Sequence, residues 1–382
     1  MQPTDLRVAL FSGNYNYTRD GANPALNRLV GYLLSRGCRV RIYSPTVQHP
    51  AFEPTGDLVD VPAFSIPTRK EYLVARGLPA KVRRDLDAFA PNIIHVSAPD
   101  ILGHRAVSYA QRRSIPIVAS FHTRFETYLR YYRLGFLEPL ALAILRRFYR
   151  RCDALMPPSE SMAELLREQR MNYDITVWSR GIDTKIFTPA ARSMHWRRGL
   201  GIRDDEMVIG FLGRLVLEKG IDTFSLAIKE LTRRGLPHRV LVIGKGPAED
   251  WFADQLPDAI FAGFQSGADL GRAIASTDIL FNPSVTETFG NVTLEAMACA
   301  VPVVAAFATG SSSLVEHGVT GRLVQPDDIA GFANALQAYC EDRDLADNDG
   351  LAGEAKSRAF GWDPINQVVL DKYLQVLARR AK

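Results

Sequence analysis

A chain of 382 residues exceeds one ordinary core and suits two domains of roughly 100–200 residues each. Hydrophobic residues make up 47% and charged residues 23%, a balance that excludes an intrinsically disordered chain. The net charge of +4 conceals an asymmetry: residues 1–188 carry 26 Lys+Arg against 17 Asp+Glu, or +9, and residues 189–382 carry 20 against 25, or −5. The basic first half is read either as meeting an anionic surface or substrate, or as a merely solvated basic face.

The opening residues MQPTDLRVALFSG lack the basic stretch and long apolar core of a secretory leader, and no apolar run approaches the roughly 18 residues that span a bilayer. Short β-branched runs then recur at 7–11, 39–43, 93–96, 117–120 and 154–156, with helical patterns at 24–35, 102–112 and 160–168 between them. This alternation predicts a parallel sheet covered on both faces. Residues 181–189 read as a loop, after which strands are expected at 207–213, 239–243, 259–262, 279–281, 302–306 and 321–324. Helices are expected at 221–233, 269–276, 292–300 and 328–339. The reading is α/β, with an N-terminal Rossmann-like domain over 1–188, a second over 189–362, and a last helix over 363–382. Ligands of such sheets bind beyond the carboxyl ends of the strands, so two facing domains predict a deep cleft as the site. Cys38, Cys152, Cys299 and Cys340 show no paired metal spacing and read as reduced thiols of a cytoplasmic protein.

The strongest chemical signal is the loop 281–290, which runs into a helix from Asn291. Glu287 stands in the loop and Glu295 about one turn inside the helix. Gly290 removes a Cβ where the helix opens, so a ligand can approach the amides of Phe289, Gly290 and Asn291, which lack intrahelical partners. Two carboxylates beside such donors suit a polyol ligand, although two glutamates eight positions apart also fit plain surface charges. Upstream, Gly210-Phe-Leu-Gly-Arg-Leu-Val-Leu-Glu-Lys-Gly220 leaves a strand with Arg214 and Lys219 five residues apart. Fixed cations there would stabilise a departing diphosphate. Gly244-Lys-Gly-Pro247 fails as a dinucleotide fingerprint, because Glu249 stands where the third glycine belongs. No Asp-x-Asp metal motif occupies a suitable loop, and the two cations would make a metal dispensable. In the first half, Ser12-Gly13-Asn14 opens a long loop that reaches Gly21 and a helix N-terminus, with glycines favouring close approach and mobility. His122 follows a strand at its carboxyl end. His95 is read as structural.

Glu287 to Glu295, with Thr-Phe-Gly and Leu-Glu-Ala-Met-Ala around it, resembles the Glu-x7-Glu motif of the family 4 retaining glycosyltransferases. The segments with Gly213-Arg214, Glu218-Lys219-Gly220 and Gly244-x-Gly246-Pro247 are similar to further motifs of that family. The resemblance covers nearly the whole chain. It implies the GT-B fold, a UDP- or GDP-linked hexose donor, and retention of anomeric configuration. It implies that Glu287, with the amides of Phe289, Gly290 and Asn291, holds the hexose and that Glu295 holds the ribose. Arg214 and Lys219 would manage the diphosphate, Gly244, Gly246 and the Phe264 backbone would line the base pocket, and Gly13 and His122 would approach the donor from the first half. No cofactor, metal or nucleic acid is expected. Seven arginines and many aromatics within 124–151 resemble the corresponding region of sulfoquinovosyl-diacylglycerol synthases. That likeness implies a lipid or glycan acceptor and a peripheral place on the inner face of the cell membrane, though the aromatics also fit a core helix pair with snorkelling arginines. A sugar-nucleotide epimerase and a catalytically silent sugar-nucleotide binding protein stay open at this point.

Overall fold

The computed structural model of the chain describes residues 2–18, 21–66, 69–124 and 134–380. The chain forms two compact units, Met1–Gly181 with Trp362–Lys382, and Ile182–Gly361. The changeover therefore lies seven residues before the expected seam at 188/189, and the last helix starts at Trp362 rather than at residue 363. Packing is the reason. Ile182 is buried in the second unit's core beside Leu294 and Val303, with Phe187 packed against the same cluster, and the Ile182 amide donates to the Phe360 carbonyl at 2.9 Å.

The first unit contains β1 (Arg7–Phe11), β2 (Arg39–Ser44), β3 (Asp57–Asp60), the antiparallel pair β4 (Ala63–Ile66) and β5 (Arg69–Ala75), then β6 (Ile93–Val96), β7 (Ile117–Ser120) and β8 (Ala154–Met156). Six of these make a parallel sheet in the order β3-β2-β1-β6-β7-β8. The inner strands are apolar runs because helices cover both faces. On one side Phe11 and Tyr43 stack at 4.9 Å above Leu102, Ala106, Phe148 and Tyr149. On the other, the terminal helix Trp362–Arg380 buries Val369, Leu370 and Tyr373. Its Lys372 reaches Asp174 at 2.9 Å and its Arg380 reaches Asp153 at 2.8 Å.

The second unit repeats the plan with β9 (Val208–Leu212), β10 (Arg239–Ile243), β11 (Ile260–Gly263), β12 (Ile279–Asn282), β13 (Val303–Ala306) and β14 (Gly321–Val324), ordered β11-β10-β9-β12-β13-β14. Phe211, Phe224, Phe252, Phe281 and Phe332 fill one face of this sheet, and Leu280, Leu294, Met297 and Val303 the other. In each unit the order reverses beside the first strand, between β1 and β6 and between β9 and β12. Crevices for ligands open at such points.

Helices Ala80–Phe89, Met194–Gly199, Glu249–Gln255 and Arg343–Ser357, and strands β3 to β5, are absent from the sequence reading. Ala80–Phe89 buries only Val82 and Leu86, too thin a stripe to stand out among its charges. Of the arginine-rich segment 124–133, only Arg124 falls among the described residues.

Candidate functional site

In the second unit, the loops after β9 and β12 meet at the point where strand order reverses. Gly220, at φ 73°, caps the helix Ile221–Arg233 and lies so near Pro283 that a Cβ would stand 3.0 Å from its carbonyl oxygen. The Thr286 hydroxyl donates to the Glu218 carbonyl at 3.1 Å, which ties the two loops together. Lys219 Nζ then reaches Glu287 Oε1 at 3.0 Å. The other carboxylate oxygen, Oε2, is buried and has no hydrogen-bond partner among the described residues. A buried anionic acceptor left open in this way costs free energy unless a ligand completes it.

Glu287 is held from behind by a segment the sequence reading missed. Thr309 Oγ1 donates to the Glu287 carbonyl at 3.0 Å, and Gly310 sits where a Cβ would come within 2.8 Å of the Glu287 Cβ. The available signal was position, since Thr309 and Gly310 follow the carboxyl end of β13. Gly290, at φ 90°, begins the helix Asn291–Ala298, and Leu294 is the first amide to find a carbonyl in it, that of Gly290. The amides of Asn291, Val292 and Thr293 are thus the open donors of that helix, a patch of positive potential one turn from Glu287. The Phe289 side chain is buried in the core at 6.1 Å from the Phe360 ring, leaving its backbone as the part that faces the loop. Glu295 lies farther along the helix. Burial, reinforced by the Glu287 charge, pushes its carboxyl up to about 8, so at pH 7 it is mostly protonated.

Arg214 is exposed on the β9 loop. Gly244, at φ 142°, and Gly246 have a backbone reason for being glycine: a Cβ would stand 1.9 Å from the Gly213 carbonyl oxygen in the first case and 2.3 Å from that of Leu215 in the second. The Gly244 amide donates to Gly263 at 2.9 Å, and Phe264 is exposed immediately beyond. These turns carry the loop 213–220 and fix its height above the sheet. Among the described residues no group of three or more His, Cys, Asp or Glu is placed to hold a metal.

The first unit presents a different set at its own reversal point. Gly13 lies against Asp100, whose Oδ2 would stand 2.2 Å from a Cβ, while Oδ1 accepts from the Gly103 amide at 2.7 Å and caps the helix Ile101–Arg112. An anion approaching Gly13 therefore meets a carboxylate. The loop expected to be mobile is anchored over 12–18: Tyr15 OH donates to the Thr55 carbonyl at 2.7 Å, Tyr17 OH to the Gly13 carbonyl at 2.8 Å, and Asn16 Nδ2 to the Phe52 carbonyl at 3.1 Å.

His122 ends a buried hydrogen-bonded line. Arg180 Nη2 donates to His122 Nδ1 at 2.7 Å, and because guanidinium only donates, that nitrogen carries no proton. Burial first, then the Arg180 charge, holds the His122 pKa well below the usual histidine range, so the ring is neutral with its proton on Nε2. Nε2–H donates to Ser120 Oγ at 2.8 Å, Ser120 donates to His95 Nε2 at 3.0 Å, and His95 Nδ1–H donates to Tyr373 OH at 2.6 Å. Both ring nitrogens of His122 are thus engaged within the unit. His95, whose pKa burial pushes down to about 3, is structural as expected.

The model for Glycosyltransferase Family 4 matches residues 19–186, and that for Glycosyl transferases group 1 matches residues 206–342. The GDP-mannose-dependent alpha-mannosyltransferase of Mycolicibacterium smegmatis is 30% identical over 98% of this chain and 99% of its own length. The chain belongs to glycosyltransferase family 4. The Sulfoquinovosyl transferase SQD2 of Arabidopsis thaliana is 28% identical over 78% of this chain and 60% of its own. The solved sucrose-phosphate synthase of Thermosynechococcus elongatus shares the fold at TM-score 0.81 and 20% identity, over 97% of this chain and 99% of that one. This family 4 glycosyltransferase has the GT-B fold class, two α/β units of Rossmann type. It is a transferase that carries its Lys219–Glu287 pair where the second sheet reverses.

Proposed function

We propose that the enzyme transfers a hexosyl group from a UDP- or GDP-hexose to a hydroxyl of a lipid or glycan acceptor, with retention, to give an α-glycoside. The observation that carries this reading is the Lys219–Glu287 pair beside the open amides of helix Asn291–Ala298, with Glu287 Oε2 lacking a partner among the described residues. A hexose hydroxyl donating to Oε2 would complete that oxygen. A diphosphate drawn to the helix amides and to Lys219 and Arg214 would leave as the bond from the anomeric carbon to its phosphate oxygen breaks. The departing oxygen takes the acceptor hydroxyl's proton while the acceptor oxygen bonds the anomeric carbon on the same face. Glu287 orients and does not attack, and no metal or further cofactor takes part. Glu295 holds the ribose, and Gly244, Gly246 and the Phe264 backbone border the base.

The mycobacterial relative's name, with its GDP-mannose and alpha linkage, supports the donor class and the linkage, and the sulfoquinovosyl relative supports a lipid acceptor. No helix among the described residues is long and apolar enough to cross a membrane, and we place the enzyme in the cytoplasm, peripheral to an anionic inner membrane face. Incubation with a panel of UDP- and GDP-hexoses, with and without lipid extract, tests the whole reading. Nucleoside diphosphate release that rises with lipid, with an α-configured product by NMR, is the expected result. Conversion of donor without acceptor would instead mark an epimerase, and binding without any turnover a silent binding protein. A trapped glycosyl adduct on Glu287 would overturn the same-face step.

A further inference from the structure

A groove of about 580 Å³ opens in the first unit between the helix Ala22–Ser35, the loop before β3 and the start of the terminal helix. Its volume falls within the range of small-molecule sites, about 300–1,000 Å³. Residues 24, 28, 31 and 35 recur at three- and four-residue spacing, so one face of the helix makes a wall. Tyr32, Phe52 and Trp362 add three aromatic rings, and none of the residues placed in the transfer chemistry lines it.

Two features mark the groove as built for an occupant. Asn366, in its lining, is only 1% exposed. The Trp178 indole, which can only donate, gives its N–H to Asn366 Oδ1 at 3.3 Å and so orients the amide. The Asn366 NH2 then has no hydrogen-bond partner among the described residues, and a donor is left to whatever enters the groove. Gly31 is the second feature. Glycine inside a helix is less stable than alanine, and packing does not demand it here, since a Cβ would meet only Thr55 Cγ2 at 3.5 Å, an ordinary contact. The space its missing side chain leaves belongs to the groove.

Charge and shape select the occupant. Arg28 and Asp363 are the only charged side chains lining the groove among the described residues, one of each sign, so a phosphate finds no excess of cations there. An acyl chain would leave the Asn366 amide unmet. A hexopyranose suits both demands: its C–H faces lie against aromatic rings, and its hydroxyls meet the amide donor and the Asp363 carboxylate. The rings are held in place. The Tyr32 hydroxyl is hydrogen-bonded to Gln367, and Trp362 packs so closely on Gly181 that a Cβ there would stand 2.5 Å from the indole. We propose that this groove is a saccharide site separate from that of the donor hexose, and that it holds a neutral hexopyranose unit by ring stacking and the Asn366 amide. The site goes beyond the transfer reading. It needs no nucleotide, and its residues belong to the first unit, whereas Lys219, Glu287 and Glu295 belong to the second.

Saturation-transfer-difference NMR of the full chain with methyl α-mannopyranoside, methyl α-glucopyranoside and the α-linked disaccharides of each decides the matter. Saturation of the aromatic protons should pass mainly to the C–H protons of one sugar face. Gly31→Leu, which extends a side chain toward Thr55 across the groove, and Phe52→Ala, which removes one ring, should each weaken binding roughly tenfold or more. Glu287→Ala should bind these saccharides as the wild type does, because it alters only the donor-hexose site. Circular-dichroism melting and the thermal shift given by UDP or GDP should stay at wild-type values in Gly31→Leu, which separates loss of the groove from loss of fold or of donor binding. Absence of saturation transfer to all of these saccharides in the wild type would overturn the proposal, as would equal binding by Gly31→Leu and wild type. Loss of binding in Glu287→Ala with Gly31→Leu unaffected would also overturn it and assign the saccharide to the donor site. Failure of the transfer reading shows separately, as absence of nucleoside diphosphate release, which saccharide binding does not require.

Discussion

The two units share one strand order and use its reversal point differently. Beyond β9 and β12 stand a lysine–glutamate pair, a carboxylate oxygen without a partner among the described residues, and the opening of a helix. Beyond β1, β6 and β7 stand a carboxylate against Gly13 and an internally satisfied line that runs from the Arg180 guanidinium through neutral His122 and His95 to Tyr373. The second unit thus keeps charge ready for a ligand, whereas the first spends its polar groups on itself. Topology fixes where a site opens, and the loop residues decide whether its polar groups are left open or satisfied within the unit.

The contrast is most sharply tested at Glu287. Glu287→Ala should lower turnover by about a hundredfold or more, with melting moved only a few degrees, because the group is held for a ligand rather than for the core. A collapse of melting temperature would make the pair structural. On the same scale, Arg214→Ala and Lys219→Ala together should reduce turnover by roughly two to four powers of ten, as expected for charged hydrogen bonds of about 1.5–3 kcal/mol each, and should leave substrate-free melting nearly unchanged.

Glu295 gives a smaller effect with a definite sign. Its carboxyl titrates near 8 in the free enzyme, and a ribose hydroxyl donates best to the ionised form. Nucleotide affinity should therefore rise from pH 6 to about 8 and level off above, with a proton released on binding at pH 7. Calorimetry in two buffers of different ionisation enthalpy checks this, and Glu295→Ala should abolish the slope while weakening binding roughly tenfold.

The smallest effects belong to the first unit. Tyr373→Phe strands the His95 Nδ1–H, a cost of about 1–3 kcal/mol in stability, and should leave the nucleotide affinity of the other unit unchanged. His95 adds a pH dependence. Burial depresses its folded-state pKa to about 3, below the unfolded value near 6.5, so its contribution is complete above pH 6.5 and is lost as the pH falls toward 3. Thermal melts across that range, repeated with His95→Gln, isolate it.

Much of this was legible in the residues. Apolar runs such as Ile-Ile-His-Val and Ile-Leu-Phe-Asn are strands buried on both faces, and a period of that kind survives any detail of packing. The loop from Phe281 to Gly290 stood out because its glycine, carboxylate and helix start fall within one short segment. Partnerships across the sequence were not legible. Nothing local to Lys219 announces a bond to Glu287, and nothing in Thr309-Gly310 announces a buttress behind it. At Gly244 and Gly246 the close approach of backbone to backbone was not legible either, because it leaves the same mark in the sequence as close approach of backbone to ligand. The unit boundary was misplaced for a similar reason: Ile182 and Phe187 look like loop residues until the core that takes them is known.

The terminal helix sets an order of events during synthesis. The first unit is interrupted, since its last layer comes from Trp362–Lys382 and the whole second unit lies between. A ribosome delivers the second unit complete while the first still lacks Val369, Leu370 and Tyr373 over one face of its sheet, with His95 awaiting the Tyr373 hydroxyl. The nascent chain must therefore hold an uncovered sheet through about 180 further residues, or some ten to forty seconds at bacterial to eukaryotic elongation rates. Chaperone dependence should follow the length of that wait, and deletion of the last two turns should leave the second unit folded and the first prone to aggregate.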